Sequence, residues 1–104
     1  MATRELLLHP RTAMLVVSLK EDGKKWYASS LARAVGLSYV YVTEVLNTLQ
    51  RDGVVEFKRE GKIKRVMLTE KGMKIANALD ELMTKLNTIE AKEESKPAQD
   101  ASKG

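Results

Sequence analysis

Five of the eight residues from Lys58 to Arg65, KREGKIKR, are basic. Lys58, Arg59, Lys62, Lys64 and Arg65 can each pair with phosphate or carboxylate oxygens, and clustering them on one short segment suits a polyanion. The excess is local: residues 54–72 carry six Lys/Arg against three Asp/Glu, whereas residues 73–90 carry two against three. An ordinary solvated hairpin would also carry lysine, because charged edges discourage aggregation. A second polar group precedes this one. Ser38, Tyr39, Val40, Tyr41, Thr43, Glu44 and Asn47 bring hydroxyls, a carboxylate and an amide to one side of a single segment. Threonine and asparagine can hydrogen-bond base edges, glutamate can accept from a cytosine amino group, and valine can touch a thymine methyl. The tyrosines can bond phosphates or pack on sugars, and one of them can equally belong to a core. Arg33 adds a cation close by.

Other chemistries lack their residues. There is no cysteine, which removes disulfides and thiolate metal sites and fits a reducing, cytoplasmic setting. The only histidine, His9, stands beside Pro10 near a terminus. No glycine-rich phosphate loop, nucleophile constellation or metal-ligand spacing is present. The expectation is a non-enzyme with no metal and no cofactor. Nor is any apolar run close to the roughly 20 residues that span a bilayer, and no signal peptide is visible.

The polar segment must be positioned by Ser29–Gly53, SSLARAVGLSYVYVTEVLNTLQRDG. A short helix from Ser30 to about Val35 places Leu31 and Val35 on one side. Gly36 supplies the positive φ that ends it, and Leu37 fills the corner. Ser38 caps a second helix from Tyr39 to about Gln50, on which Val42, Val45, Leu46 and Leu49 form one apolar stripe. Small Ala32, Gly36 and the two valines at these offsets make the helix-turn-helix pattern, in which a close crossing needs the alanine and a tight corner needs the glycine. A plain helical hairpin inside an all-α core is the alternative.

Upstream, Leu6 to Leu8 sit in an extended arm or a short extra helix. Pro10 opens a helix through Lys20 that is apolar on most sides. Lys24 to Ala28, with Trp26 and Tyr27, suits a small strand. Downstream, Val54, Val55 and Phe57, then Ile63, Val66 and Leu68, flank Glu60-Gly61 as the two strands of a hairpin. Thr69 caps a last helix over 70–90. Ile75, Leu79, Leu82, Leu86 and Ile89 recur at intervals of four and three on it, with Met83 widening the seam. A helix of that length reaches about 31 Å, too far for one small body to cover. The expectation is a homodimer joined through this helix; the alternative is a helix folded back on its own domain. Met14, Met67 and Met83 read as core filling.

This order resembles the winged helix-turn-helix regulators, and looks most like the MarR-type and small archaeal transcription regulators. The matching residues are Leu31-Ala32-Arg33-Ala34-Val35-Gly36-Leu37-Ser38, Val42-Thr43 to Leu49, Asp52-Gly53-Val54-Val55 and Leu68-Thr69-Glu70-Lys71-Gly72, within about residues 11–90. The last of these joins wing to dimerisation helix in that family. The chain departs by being shorter, with mainly one C-terminal helix for dimerisation, and no small-molecule effector site is evident. The resemblance implies an α+β, mainly α fold: a winged helix-turn-helix with a two-stranded wing over 10–72 and a dimerisation helix over 73–90; outside it, residues 1–9 read as an N-terminal arm, and 91–104, polar and without periodicity, as a disordered tail. It implies a sequence-specific double-stranded DNA-binding regulator, with the helix from Tyr39 to Gln50 in a major groove, N-terminal end first, and the wing on the backbone or minor groove. The same fold can instead bind RNA, bind DNA without sequence preference or act as a protein–protein adaptor.

Overall fold

The computed structural model describes residues 2–21 and 23–95. They form α1 (Thr3–Leu7), α2 (Pro10–Ser18), α3 (Ala28–Val35), α4 (Tyr39–Arg51), β1 (Val55–Glu60), β2 (Ile63–Leu68) and α5 (Glu70–Ser95). The core lies where α2, α3 and α4 meet the base of the hairpin. Leu15, Val16, Leu31, Val42, Val45, Leu46, Leu49, Val54 and Val55 are sealed from solvent there. The four apolar positions expected on α4 are therefore all inward.

The residues before α2 form a short helix rather than an extended arm. Leu6 and Leu7 are buried and Leu8 is exposed. The buried Thr12 hydroxyl donates to the carbonyls of Leu6 and His9, tying α1 to the start of α2. Pro10 occupies the first turn of α2, where a missing N–H costs nothing. That helix stops at Ser18, two residues short of the expected Lys20.

Gly36 takes φ 72° and ends α3. Its N–H and that of Leu37 both donate to the Ala32 carbonyl, at 2.9 and 3.1 Å. Two further carbonyls at this corner are served from a distance. Arg11 of α2 donates from Nη1 to the oxygens of Val35 and Gly36, at 3.2 and 2.9 Å. At the next corner the Ser38 hydroxyl accepts the Tyr41 N–H at 3.1 Å and caps α4.

β1 and β2 pair antiparallel, with Val55 opposite Leu68, Phe57 opposite Val66 and Glu60 opposite Ile63. The small strand expected at 24–28 is reduced to one bridge, Trp26 to Val66, in which the Val66 N–H donates to the Trp26 carbonyl at 2.8 Å. The α3 helix begins at Ala28, two residues earlier than expected, and leaves no room for more pairing.

Thr69 turns the hairpin into α5. Its hydroxyl accepts the Gly72 N–H at 2.9 Å and donates to the Gly53 carbonyl at 2.5 Å. Gly72 is buried against the Val54 backbone, so closely that a Cβ there would lie 1.9 Å from the Val54 oxygen. Along α5, Ala76 is buried and Ile75 and Leu79 pack on the core, while Leu82, Leu86 and Ile89 are 51%, 48% and 54% exposed. The far half of the helix does not fold back over the body. It also runs to Ser95, so residues 91–95 extend α5 instead of beginning a disordered tail. The rest of that expected tail, 96–104, lies outside the described residues. No helix among the described residues is long and apolar enough to cross a membrane.

Candidate nucleic-acid interface

With its stripe inside, α4 turns its N-terminal polar face outward. Ser38, Glu44 and Asn47 are exposed, as are Tyr39 (59%) and Val40 (68%). Thr43 is half-buried. Its hydroxyl donates to the Tyr39 carbonyl at 2.9 Å, leaving oxygen lone pairs free to accept. Tyr41 departs from the expectation of an outward side chain: it is half-buried and packs on the core.

The hairpin stands beside this face. Lys58, Arg59, Lys62 and Lys64 are exposed, and Arg33 is exposed on α3. Arg65 is half-buried, and its Nε is a sealed donor without a hydrogen-bond partner. None of these six cations takes part in an ion pair among the described residues. The register sets them against one another: Lys58 faces Arg65 and Arg59 faces Lys64 across the strands. Like charges directly opposite destabilise a strand pair by roughly 0.2–1 kcal/mol each, a strain that a bound polyanion relieves. Lys64 also lies 5.5 Å from the Phe57 ring centre.

Between hairpin and helix opens a cleft of about 280 Å³, lined by Tyr39, Thr43 and Asn47 of α4, Tyr27, Ala28 and Ser29 at the start of α3, and Lys62 and Lys64 of the hairpin. The structure thus gathers onto one side groups from 27 to 64 in sequence. Two contacts beside it were not anticipated from the sequence. Tyr27 donates its hydroxyl to the Glu60 carboxylate at 3.1 Å, and Lys25 reaches the same carboxylate at 3.7 Å. Partial burial pushes the Tyr27 phenol above its usual value, and the hydrogen bond and negative charge of Glu60 push it further, against the opposing charge of Arg65. Nothing local to KKWYA pointed to that contact. The expected dimer residues divide: Ile75 and Leu79 serve their own core, whereas Met83 is half-buried and Leu82, Leu86 and Ile89 are exposed. No cluster of three or more His, Cys, Asp or Glu able to hold a metal occurs among the described residues.

A helix-turn-helix followed by a two-stranded basic hairpin and a long helix defines a winged helix-turn-helix protein. The comparison with solved structures agrees. The chain is similar to a possible HxlR family transcriptional factor from Thermoplasma volcanium (TM-score 0.74, 24% identity, covering 88% of this chain and 84% of that one). It is similar to the transcriptional repressor BigR from Xylella fastidiosa (TM-score 0.65, 29% identity, 79% and 80% covered). It is also similar to the adhesin competence repressor AdcR from Streptococcus pyogenes (TM-score 0.76, 16% identity, 88% and 68% covered). What the three share with this chain is the fold that the sequence resembles. No protein-family model matches the sequence, and neither does any curated protein.

Proposed function

We propose that the protein is a double-stranded DNA-binding transcription regulator acting as a homodimer. The observation that carries this reading is the uncovered polar face of α4 standing beside a hairpin whose outer registers set cation against cation. The N-terminal end of α4 enters a major groove, where Thr43, Glu44 and Asn47 meet base edges and Val40 a methyl group. Arg33, Lys58, Arg59, Lys62 and Lys64 hold phosphates, supplying most of the affinity and little of the specificity. Arg65, with its guanidinium partly inside, contributes charge more than contact. The transcriptional repressor named among the structural neighbours supports a regulatory role.

Dimerisation follows from the second half of α5. Leu82, Leu86 and Ile89 are about half exposed, and removing that remaining surface from water gains on the order of 1 kcal/mol per side chain in each protomer. A groove of about 320 Å³ between α1, α2 and α5, lined by Leu7, Leu8, Leu79, Leu82 and Met83 among others, continues this apolar surface. A two-fold dimer presents two α4 helices to half-sites about one helical turn apart, so the operator is near-palindromic.

The test is an anisotropy titration with the DNA upstream of the coding sequence, a random duplex and an RNA hairpin, each at several salt concentrations. Tightest binding to the upstream duplex is expected. Replacing Arg59 and Lys64 by alanine should flatten the logarithmic salt dependence by roughly one unit for each phosphate no longer held. Equal affinity for all three would leave a non-specific binder, and no binding at low salt would leave a protein–protein adaptor.

A further inference from the structure

The wing tip is held to the body by side chains of the segment before α3: Tyr27 and Lys25 both reach Glu60. Glu60 is the last residue of β1 and the only acid between Lys58 and Arg65. Five cations surround it in sequence, and two of the cross-strand pairs oppose like charges. The hairpin on its own is therefore biased to splay at the end that must meet a phosphate chain.

We propose that Tyr27 and Glu60, assisted by Lys25, form a latch that sets the position of the wing, so that Tyr27 is a positioning residue for DNA binding. The inference rests on the DNA-binding reading for its purpose but not for its existence. Tyr27 is well suited to be the fixed half. Its backbone occupies the cap position of α3, where its N–H donates to the Ser30 hydroxyl at 2.9 Å and the Ser30 hydroxyl donates back to its carbonyl at 3.0 Å. The residue before it, Trp26, is buried and bridged to Val66 of β2. Antiparallel pairing at that bridge sets Tyr27 beside Arg65, and from there its hydroxyl reaches across to Glu60 on β1. A hydrogen bond from a neutral phenol to a carboxylate is of the stronger, charge-assisted kind. It joins residues 33 apart in sequence, and Tyr27 also lines the cleft together with Asn47, Lys62 and Lys64. The latch thereby fixes the distance between the phosphate-holding cations and the base-reading face of α4, which otherwise would be set by a two-stranded hairpin alone.

Three substitutions test this. Tyr27→Phe keeps the ring and loses the donor. Glu60→Gln keeps an acceptor and loses the charge, and Glu60→Ala loses both. Amide hydrogen exchange over 58–65 is measured first, without DNA. Tyr27→Phe and Glu60→Ala should speed exchange there about five- to tenfold, as expected for removing one partly exposed hydrogen bond, while Glu60→Gln, which keeps an acceptor but loses the charge, speeds it less, and all three keep the wild-type melting temperature within a few degrees. Duplex affinity is measured second. Tyr27→Phe should weaken it by a similar factor with the salt slope unchanged, because no phosphate contact is removed. Glu60→Gln should tighten it by removing a negative charge while the wing stays in place. Unchanged exchange in Tyr27→Phe, or Glu60→Ala tightening DNA as much as Glu60→Gln, would overturn the latch. If the wild type binds no duplex at all, the DNA reading fails while the exchange result still decides whether the latch exists.

Discussion

Replacing Gly72 by alanine puts the junction of wing and α5 to a test in which two rules point in opposite directions. By helix propensity alone the substitution should stabilise, since alanine is favoured over glycine in a helix by about 1 kcal/mol. The structure implies the reverse. The new Cβ would lie 1.9 Å from the Val54 oxygen, 2.9 Å from its carbonyl carbon and 3.2 Å from Leu68 Cδ2. The oxygen belongs to the backbone and cannot rotate away. Restoring even a 3.0 Å separation means parting α5 from the Gly53–Val54 segment by at least 1.1 Å. That displacement breaks the 3.1 Å bond from the Thr69 N–H to the Val54 carbonyl and disturbs the hydroxyl that caps the helix. Overpacking costs about 1–3 kcal/mol and loss of a cap about 1 kcal/mol; against the propensity gain, a net loss of about 1–3 kcal/mol remains. For a domain of this size each kcal/mol corresponds to about 4–8 °C, so the melting temperature should fall by roughly 5–20 °C. The assay is thermal and urea denaturation followed by circular dichroism. One fixed protein concentration is needed, because the stability of the proposed dimer varies with it. Gly23→Ala is the control: its added Cβ meets nothing within 4 Å, leaving only the strain of φ +78°. A Gly72→Ala protein that melts at or above the wild type would refute the close approach of α5 to Val54.

Three further outcomes are expected. Leu82→Asp with Leu86→Asp should convert the proposed dimer to monomer in sedimentation and weaken duplex binding, while leaving the body folded, since both side chains are about half exposed. Asn47→Ala should alter which bases are preferred in a selection from randomised duplexes, with little change in salt slope, because the amide faces the cleft and carries no charge. Asp52 is held below its ordinary carboxylate value, first by the Thr3 hydroxyl that donates to it and then by the charges of Arg51 and Lys71, against the opposing effect of desolvation. Its contribution is therefore complete above the unfolded value of 3.8 and is lost as pH falls through the lower folded value. Urea midpoints of Asp52→Asn and wild type should converge on acidification below that range, and a constant gap would contradict the contact between α1 and the end of α4.

Much of the fold and part of the site followed from the residues in order. The inward stripe of Val42, Val45, Leu46 and Leu49, the caps at Ser38 and Thr69, the stop at Gly36 and the turn that begins at Gly61 depend on neighbours within about four positions and on the φ each residue tolerates. Tertiary structure alone decided the rest. Which tyrosine of α4 met the core, how far Arg65 was drawn inside, and why Gly72 admits no side chain were settled by segments that chain order keeps apart. Arg11 serving the carbonyls of α3 from 24 and 25 residues away, and Tyr27 reaching Glu60 across 33, leave no periodic trace. Short-range geometry is written in spacing and residue type, whereas a contact between distant segments exists only once packing has brought them together.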